Sequence, residues 1–207
     1  MKQLASWGIM PLELYLREEE TELKASKTFM VNSQDMERIC SSEHPPELAG
    51  LYPLPEARAA EYQLAFYLEN ISDPGNLGTI FRIASAFGID CLLLSPHCCE
   101  VSSPKVIRAS LGAVYRVPFA IGELNELLVP GTKLAALVMD GSVALQEYKL
   151  SSAPTVFALG SEAHGLSPET LAKATETIRI TMRGGMESLN AAVCAGIVAY
   201  QLSGIRK

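Results

Sequence analysis

The sequence predicts an α/β fold in which a mostly parallel sheet is covered by helices on both faces, preceded by a small partial α/β domain. Three observations carry this expectation. From about Leu64 onward, short apolar runs alternate with segments of helical period, and such alternation implies crossover units that bury a parallel sheet from both sides. With 207 residues, 48% of them hydrophobic and 19% charged, the chain is long enough for one sizeable core and an appendage. Prolines 45, 46, 53 and 55 crowd one stretch, where no helix can be sustained. They mark a boundary near residue 57, giving domains 1–57 and 58–207.

In the first domain, apolar LELYL and TFMV read as strands, and EEETELKAS and SQDMERICS as helices. HPPELAGLYPLPEAR reads as a linker or an extended crossing segment. About fifty residues is marginal for an independent fold, so this part is expected to dock on the larger domain or to lack an N-terminal piece. In the second domain, LAFYL (64–68), CLLLS (91–95), VYRVPF (114–119), LAALVM (134–139), TVFALG (155–160) and IRITM (178–182) read as strands. NLGTIFRIASAFG, SPKVIRASLG, GELNELL and SPETLAKA read as the helices between them. Ser103-Pro104 and Ser167-Pro168 each offer a cap followed by proline at the first helical position. The uncharged run Leu189 to Ile205 includes Asn190, Tyr200, Gln201 and Ser203 and is shorter than the roughly 20 residues that span a bilayer. It reads as a core helix.

Several function classes are disfavoured. The N-terminus lacks an unbroken apolar run followed by a small-residue cleavage site. The five cysteines form no C-x-x-C pair, which suggests a reducing cytoplasm rather than a disulfide framework. His97-Cys98-Cys99 lacks the further ligands that a zinc site needs, so no metal is expected. Net charge is −6, so no global excess of bases advertises a nucleic-acid binder. Acids outnumber bases in residues 1–57, whereas residues 76–118 hold Asp90 and Glu100 against Arg82, Lys105, Arg108 and Arg116. A polyanion is expected on that second stretch. No G-x-G-x-x-G follows a strand, which argues against a dinucleotide-dependent oxidoreductase, and G-x-x-x-x-G-K-[ST] is missing too.

Ligands of such sheets bind beyond the carboxyl ends of the strands, which directs attention to three polar loops. In ENISDPGNLGTIFRIASAFG, Asp73-Pro74-Gly75-Asn76 is turn chemistry, and Gly75 and Gly78 let backbone approach a ligand. Thr79 and Arg82 share a helical face while Ile80, Ala84 and Phe87 point to the core. Read alone, this is a surface arginine on a capped helix. In ALGSEAHGLS, Gly160 and Gly165 bracket Ser161, Glu162 and His164. His164 suggests acid–base work, but no Ser–His–Asp order supports nucleophilic catalysis, and the loop alone is a βα turn. In ITMRGGMESLNAAV, Glu187, Ser188 and Asn190 gather where a helix starts. Capping explains one of them comfortably, but not three.

In this order and spacing, DPGNLGTIFRIASAFG, ALGSEAHGLS and ITMRGGMESLNAAV resemble the three signature motifs of the SpoU (TrmH-like) RNA 2′-O-ribose methyltransferases of the SPOUT superfamily. SPKVIRASLGAVYRVPF resembles that family's connecting segment, and the resemblance covers roughly residues 64–203. It implies a C-terminal segment tucked through a preceding loop as a trefoil knot. S-adenosylmethionine would be bound in a bent shape, largely by main chain, at Leu159, Gly160, Ile180, Met182 and Leu189. Asn76, Arg82, Glu162, Ser188 and Asn190 would form the catalytic constellation, with Glu162 and Asn76 orienting Arg82, and Ser188 and Asn190 holding loop and ribose. It further implies a homodimer with helix 189–203 at or beside the interface.

The N-terminal part is similar to the small ribosomal-protein-like RNA-binding domain of many members but starts late, so its usual first strand or helix is expected to be absent. That appendage tilts the expected substrate toward ribosomal rather than transfer RNA. A non-catalytic RNA-binding module on the same fold is the alternative. One departure stands out. Thr181 replaces the proline of the family's usual Ile-Pro-Met, which frees a backbone N–H and loosens φ, so weaker cofactor binding is expected.

Overall fold

The computed structural model describes residues 1–17, 21–40, 44–58, 61–184 and 188–204. The chain forms two compact units, Met1–Leu54 and Pro55–Lys207.

The first unit runs α1 (Lys2–Ser6), β1 (Glu13–Leu16), β2 (Lys27–Met30), α2 (Ser33–Cys40) and β3 (Leu48–Leu51). Its sheet has the order β2-β1-β3, with β1 parallel to β2 and antiparallel to β3. The period-2 pattern of LELYL works as expected: Leu14 and Leu16 are buried, while Tyr15 on the other face stacks on Phe29 with ring centroids 5.4 Å apart. α2 starts where the Asn32 side chain accepts from the Asp35 N–H at 2.9 Å, and it buries Met36.

Two expectations for this unit are corrected. Of the helix expected over 18–26, Glu18–Glu20 lie outside the described residues and Thr21–Ser26 form none. Its sequence offers hardly any apolar face to bury, and the Thr21 hydroxyl accepts from the Leu23 N–H at 3.2 Å, a local turn that competes with helix. The expected linker contains β3, because Leu48–Leu51, between the two proline pairs, is free to pair with β1.

The second unit runs β4 (Leu64–Leu68), α3 (Pro74–Phe87), β5 (Cys91–Leu94), α4 (Pro104–Ala109), a 3-10 turn (Ala113–Tyr115) and β6 (Phe119–Ile121). It continues with α5 (Leu124–Leu127), β7 (Lys133–Leu137), β8 (Val143–Ala144), β9 (Thr155–Leu159), α6 (Pro168–Lys173), β10 (Glu176–Arg179) and α7 (Ala191–Ser203). Among the described residues these strands form one seven-stranded sheet, β6-β5-β4-β9-β7-β10-β8, in which every pair is parallel. Every residue of β4, β5 and β9 is buried, as a strand covered on both faces must be. On one face Phe66, Leu68 and Phe157 meet Ile80 and Phe81 of α3 and Ala195, Val198 and Leu202 of α7. On the other, Ala65, Tyr67 and Val156 meet Leu124 of α5 and Leu166 before α6. Each fully buried large apolar side chain contributes roughly 1.5–3 kcal/mol.

The strand expected at 114–119 is corrected to a 3-10 turn followed by β6. The Val117 N–H donates to the Ala113 carbonyl at 2.9 Å, so the buried Val114 and Val117 lie on a helical turn rather than on a pleat. Pro118 supplies only a carbonyl, which accepts from the Leu92 N–H at 3.0 Å as the ladder begins. Of the two expected Ser-Pro caps, Ser167 accepts from the Thr170 N–H at 3.1 Å, whereas the Ser103 side chain makes no such bond.

Two crossings position the site. Residue 78 of α3 lies against α4: a Cβ on Gly78 would stand 2.6 Å from both the Val106 oxygen and the Ala109 Cβ, so only glycine permits this close approach. Ile178 of β10 pairs with Leu137 on one side and Val143 on the other. Residues 138–142, joining those partners, therefore bridge over β10. Arg179 ties the bridge down, donating to the Gly141 oxygen at 2.6 Å and the Ser142 oxygen at 3.1 Å.

Candidate active site

Beyond the carboxyl ends of β7, β9 and β10 lies a cavity of about 400 Å³, within the roughly 300–1,000 Å³ typical of small-molecule sites. Its walls come from three places. The bridge contributes Val138, Met139 and Asp140. The loop after β9 contributes Gly160, Ser161, Glu162 and His164. The segment after β10 contributes Ile180, Met182, Ser188 and Leu189. Leu137, Leu159 and Cys194 extend the apolar part, and burial pushes the Cys194 thiol above its ordinary range.

The loop after β9 is tight for a steric reason. The Gly165 N–H donates to the Ser161 oxygen at 2.9 Å, and a Cβ on Gly160 would lie 2.1 Å from the Gly165 carbonyl carbon. No side chain fits there. The far end of the loop is held by Glu69, 7% exposed at the end of β4, which accepts from the Ser167 N–H at 2.9 Å and the Thr170 hydroxyl at 3.0 Å. Burial and then the Glu69 charge push the neighbouring Tyr67 phenol upward. Sequence reasoning missed Glu69, and the available signal was an acid ending an otherwise apolar strand with no base beside it.

Asn76 in the first turn of α3, Glu162 in the loop after β9 and Asn190 at the start of α7 meet in one network. The Asp73 carboxylate caps α3 by accepting from the Asn76 N–H at 2.7 Å. Asn76 Nδ2 donates to Glu162 Oε1 in a short bond, and Asn190 Nδ2 donates to Asn76 Oδ1 at 2.9 Å. Asn190 Oδ1 accepts from the Ala192 and Val193 N–H groups at 2.9 and 3.2 Å. Glu162 Oε1 also accepts from the Ala191 N–H at 3.3 Å. The start of α7 is thus capped from within and from across the fold, and capping accounts for only part of its polar cluster. Ser188 is exposed on the cavity wall without a side-chain hydrogen bond among the described residues, and Glu187 lies outside them.

Arg82 stands apart. It is exposed on α3, and among the described residues no carboxylate or amide holds it. The Asn76 and Glu162 side chains are occupied with each other and with the start of α7. All five expected cofactor residues, Leu159, Gly160, Ile180, Met182 and Leu189, line the cavity. Where the family's proline is expected, the Thr181 hydroxyl lies 3.4 Å from Gln146 Oε1. His164 lines the cavity with no partner on its imidazole among the described residues, and no His/Cys/Asp/Glu cluster suited to a metal occurs among them.

Fold and site define an α/β protein that takes a small ligand at the strand ends. Residues 63–200 match the SpoU rRNA Methylase family, and the chain belongs to that family. It is 32% identical over 187 residues to an uncharacterized tRNA/rRNA methyltransferase of Synechocystis sp., covering 84% of this chain and 66% of that one. To the 23S rRNA (guanosine(2553)-2′-O)-methyltransferase RlmP of Bacillus subtilis it is 29% identical, covering 85% of this chain and 72% of that one. The chain therefore spans roughly two thirds of the length of these relatives. Among solved structures, a putative RNA methyltransferase of the TrmH family from Porphyromonas gingivalis is similar at TM-score 0.79 and 30% identity, over 93% of this chain and 82% of that one. The AdoMet-bound rRNA methyltransferase from Sinorhizobium meliloti is similar at TM-score 0.79 and 25% identity, over 97% and 82%.

Proposed function

We propose that this chain transfers the methyl group of S-adenosylmethionine to a ribose 2′-hydroxyl in structured RNA, ribosomal rather than transfer RNA. The observation that carries the reading is the meeting of Asn76, Glu162 and Asn190 beside a cavity walled by Leu159, Gly160, Ile180, Met182 and Leu189. The cavity suits the cofactor: Leu159, Ile180 and Leu189 offer an apolar slot for an adenine, and Ser161, Glu162 and Ser188 offer polar partners. The close approach at Gly160 keeps its wall backbone-lined. Bound there, S-adenosylmethionine supplies an electrophilic methyl group.

The residues then divide the work. Asn76, Glu162 and Asn190 fix three separate segments to one another, which aligns oxygen, carbon and sulfur for in-line attack, and alignment supplies much of the acceleration. Ser188 holds the ribose. A guanidinium with a pKa above about 12 is a poor proton acceptor. Arg82, exposed and without a partner among the described residues, instead grips the phosphate next to the target sugar bidentately. The 2′-hydroxyl proton leaves through that phosphate or water.

In this reading the segment after β10 passes beneath the bridge 138–142 as a trefoil knot. Two copies pair through α7, where Val193, Ile197 and Tyr200 share a face and remain 48%, 37% and 71% exposed. The first unit binds RNA, and the protein works in a reducing cytoplasm, in keeping with five free cysteines. Equilibrium dialysis with labelled S-adenosylmethionine, followed by transfer of label to RNA, tests the reading. Saturable binding and alkali-stable label in RNA support it. Failure to bind the cofactor, with RNA still bound, would leave a non-catalytic RNA-binding module.

A further inference from the structure

The helical layer made by α3, α4, the 3-10 turn and α7 differs in charge from the rest of this acidic chain. From Pro74 to Ile89 the only charged residue is Arg82, and from Val101 to Gly122 the charged residues are Lys105, Arg108 and Arg116. α7 carries none. The opposite layer instead presents Glu123, Glu126 and Glu169 along α5 and α6. The helices of this layer thus carry only cations, with Asp73, Asp90 and Glu100 in the loops at their ends, whereas α5 and α6 carry three acids and Lys173, a difference that favours polyanions on the first layer.

The cations sit on two helices packed against each other. Lys105 and Arg108 are three apart and share a face of α4. Arg82 follows Gly78 by one turn on α3, and Gly78 is where α4 presses against α3. All three side chains are exposed, and among the described residues none has an ion pair or hydrogen bond. Arg17, Lys27, Arg38 and Lys173, by contrast, each lie within 4.0 Å of a carboxylate. α3 itself leads to the site: Asn76 lies in its first turn, and Arg82 lies six residues further, about 9 Å along the helix axis.

We propose that Lys105 and Arg108, on the helix packed against the one that carries Arg82, grip the phosphates of the RNA strand flanking the modified nucleotide. The inference rests on the methyltransferase reading for what occupies the Asn76 end of α3. An acidic protein would match the charge equally well, but the helix that carries Arg82 also carries Asn76, which contacts Glu162 of the cavity wall. Contacts of this kind position the strand without reading sequence.

The test compares the wild-type chain with K105A/R108A in titrations of a mixed-sequence RNA hairpin over a range of salt. Each lost phosphate contact lowers the slope of log affinity against log salt by about 0.7–0.9, so the double variant should show a slope smaller by about 1.5 and an affinity reduced at least tenfold at low salt. K105R/R108K should retain both. S-adenosylmethionine binding, measured on the same proteins, should be unchanged, and KM for RNA should rise while kcat holds. Wild-type affinity and slope in K105A/R108A would overturn the proposal, as would RNA binding left intact while capture of an acidic protein is lost. Wild-type protein that binds hairpin through these cations but transfers no methyl would sink the methyltransferase reading alone.

Discussion

Asn190 donates its side-chain amide to the Asn76 oxygen at 2.9 Å across 114 positions of sequence, while its own oxygen caps two N–H groups of α7. One residue thus does a stabilising job and a positioning job with different atoms, so the two can be separated. Asn190→Ala loses both, and the cap alone is worth about 0.5–2 kcal/mol, or a fall in Tm of about 2–4 °C per kcal/mol for a chain of this size. Asn190→Asp keeps the capping oxygen but has no amide to donate and sets a second carboxylate near Glu162. Its Tm should stay close to wild type while methyl transfer drops at least a hundredfold, checked by calorimetry and single-turnover kinetics.

Glu69 carries a second expectation. Removing its carboxylate leaves the Ser167 N–H and the Thr170 hydroxyl without their acceptor in a buried setting, which costs about 1–3 kcal/mol. Glu69→Ala should lose that much stability in denaturant titrations, and exchange of the Ser167 amide should accelerate. Unchanged exchange there would mean that the loop after β9 is held by something else.

At Gly160 the expectation is steric. An added methyl would lie 2.1 Å from the Gly165 carbonyl carbon, so Gly160→Ala must displace the loop that walls the cavity. Calorimetric titration should show S-adenosylmethionine bound at least tenfold more weakly, about 1.4 kcal/mol.

Arg82 tests the proposed division of labour. If its planar fork grips phosphate, Arg82→Lys should cut single-turnover transfer at least tenfold without changing cofactor affinity. Near-normal transfer would show that the fork is unnecessary.

The cysteines give a pH expectation. Burial pushes Cys91 and Cys99 up to about 11 from an ordinary value of 9.0. Above pH 9 the unfolded chain loses these protons first, so the folded state holds more protons and stability falls as pH rises. Stability should therefore be undiminished by these groups below about pH 9 and decline between 9 and 11, followed by chemical denaturation at each pH. Alkylation of Cys99 should be slow at pH 8 and accelerate across the same window.

How far the sequence carried the fold depended on burial. β4, β5, β7 and β9 read cleanly because burial on both faces leaves a continuous apolar run. The two-residue β8 leaves no periodicity to find, β3 sits between prolines, and buried valines on a 3-10 turn imitate the alternation of a strand around 114–117. The site was legible in parts. Asn76 and Asn190 look like cap residues and Glu162 like a loop acid; motif order, not local chemistry, brought them together. No sequence pattern announces that Asn76 and Glu162 would bond to each other, because that is a contact between residues 86 positions apart.

The most direct measurement is nucleoside mass spectrometry of RNA from cells lacking the gene, after incubation with the purified protein and S-adenosylmethionine. The proposed activity requires one new 2′-O-methylated ribonucleoside, in the ribosomal RNA fraction, that is absent when Asn190→Asp replaces the wild-type protein. A methyl group found on a base, or no methyl group transferred by a protein that binds the cofactor, would contradict it.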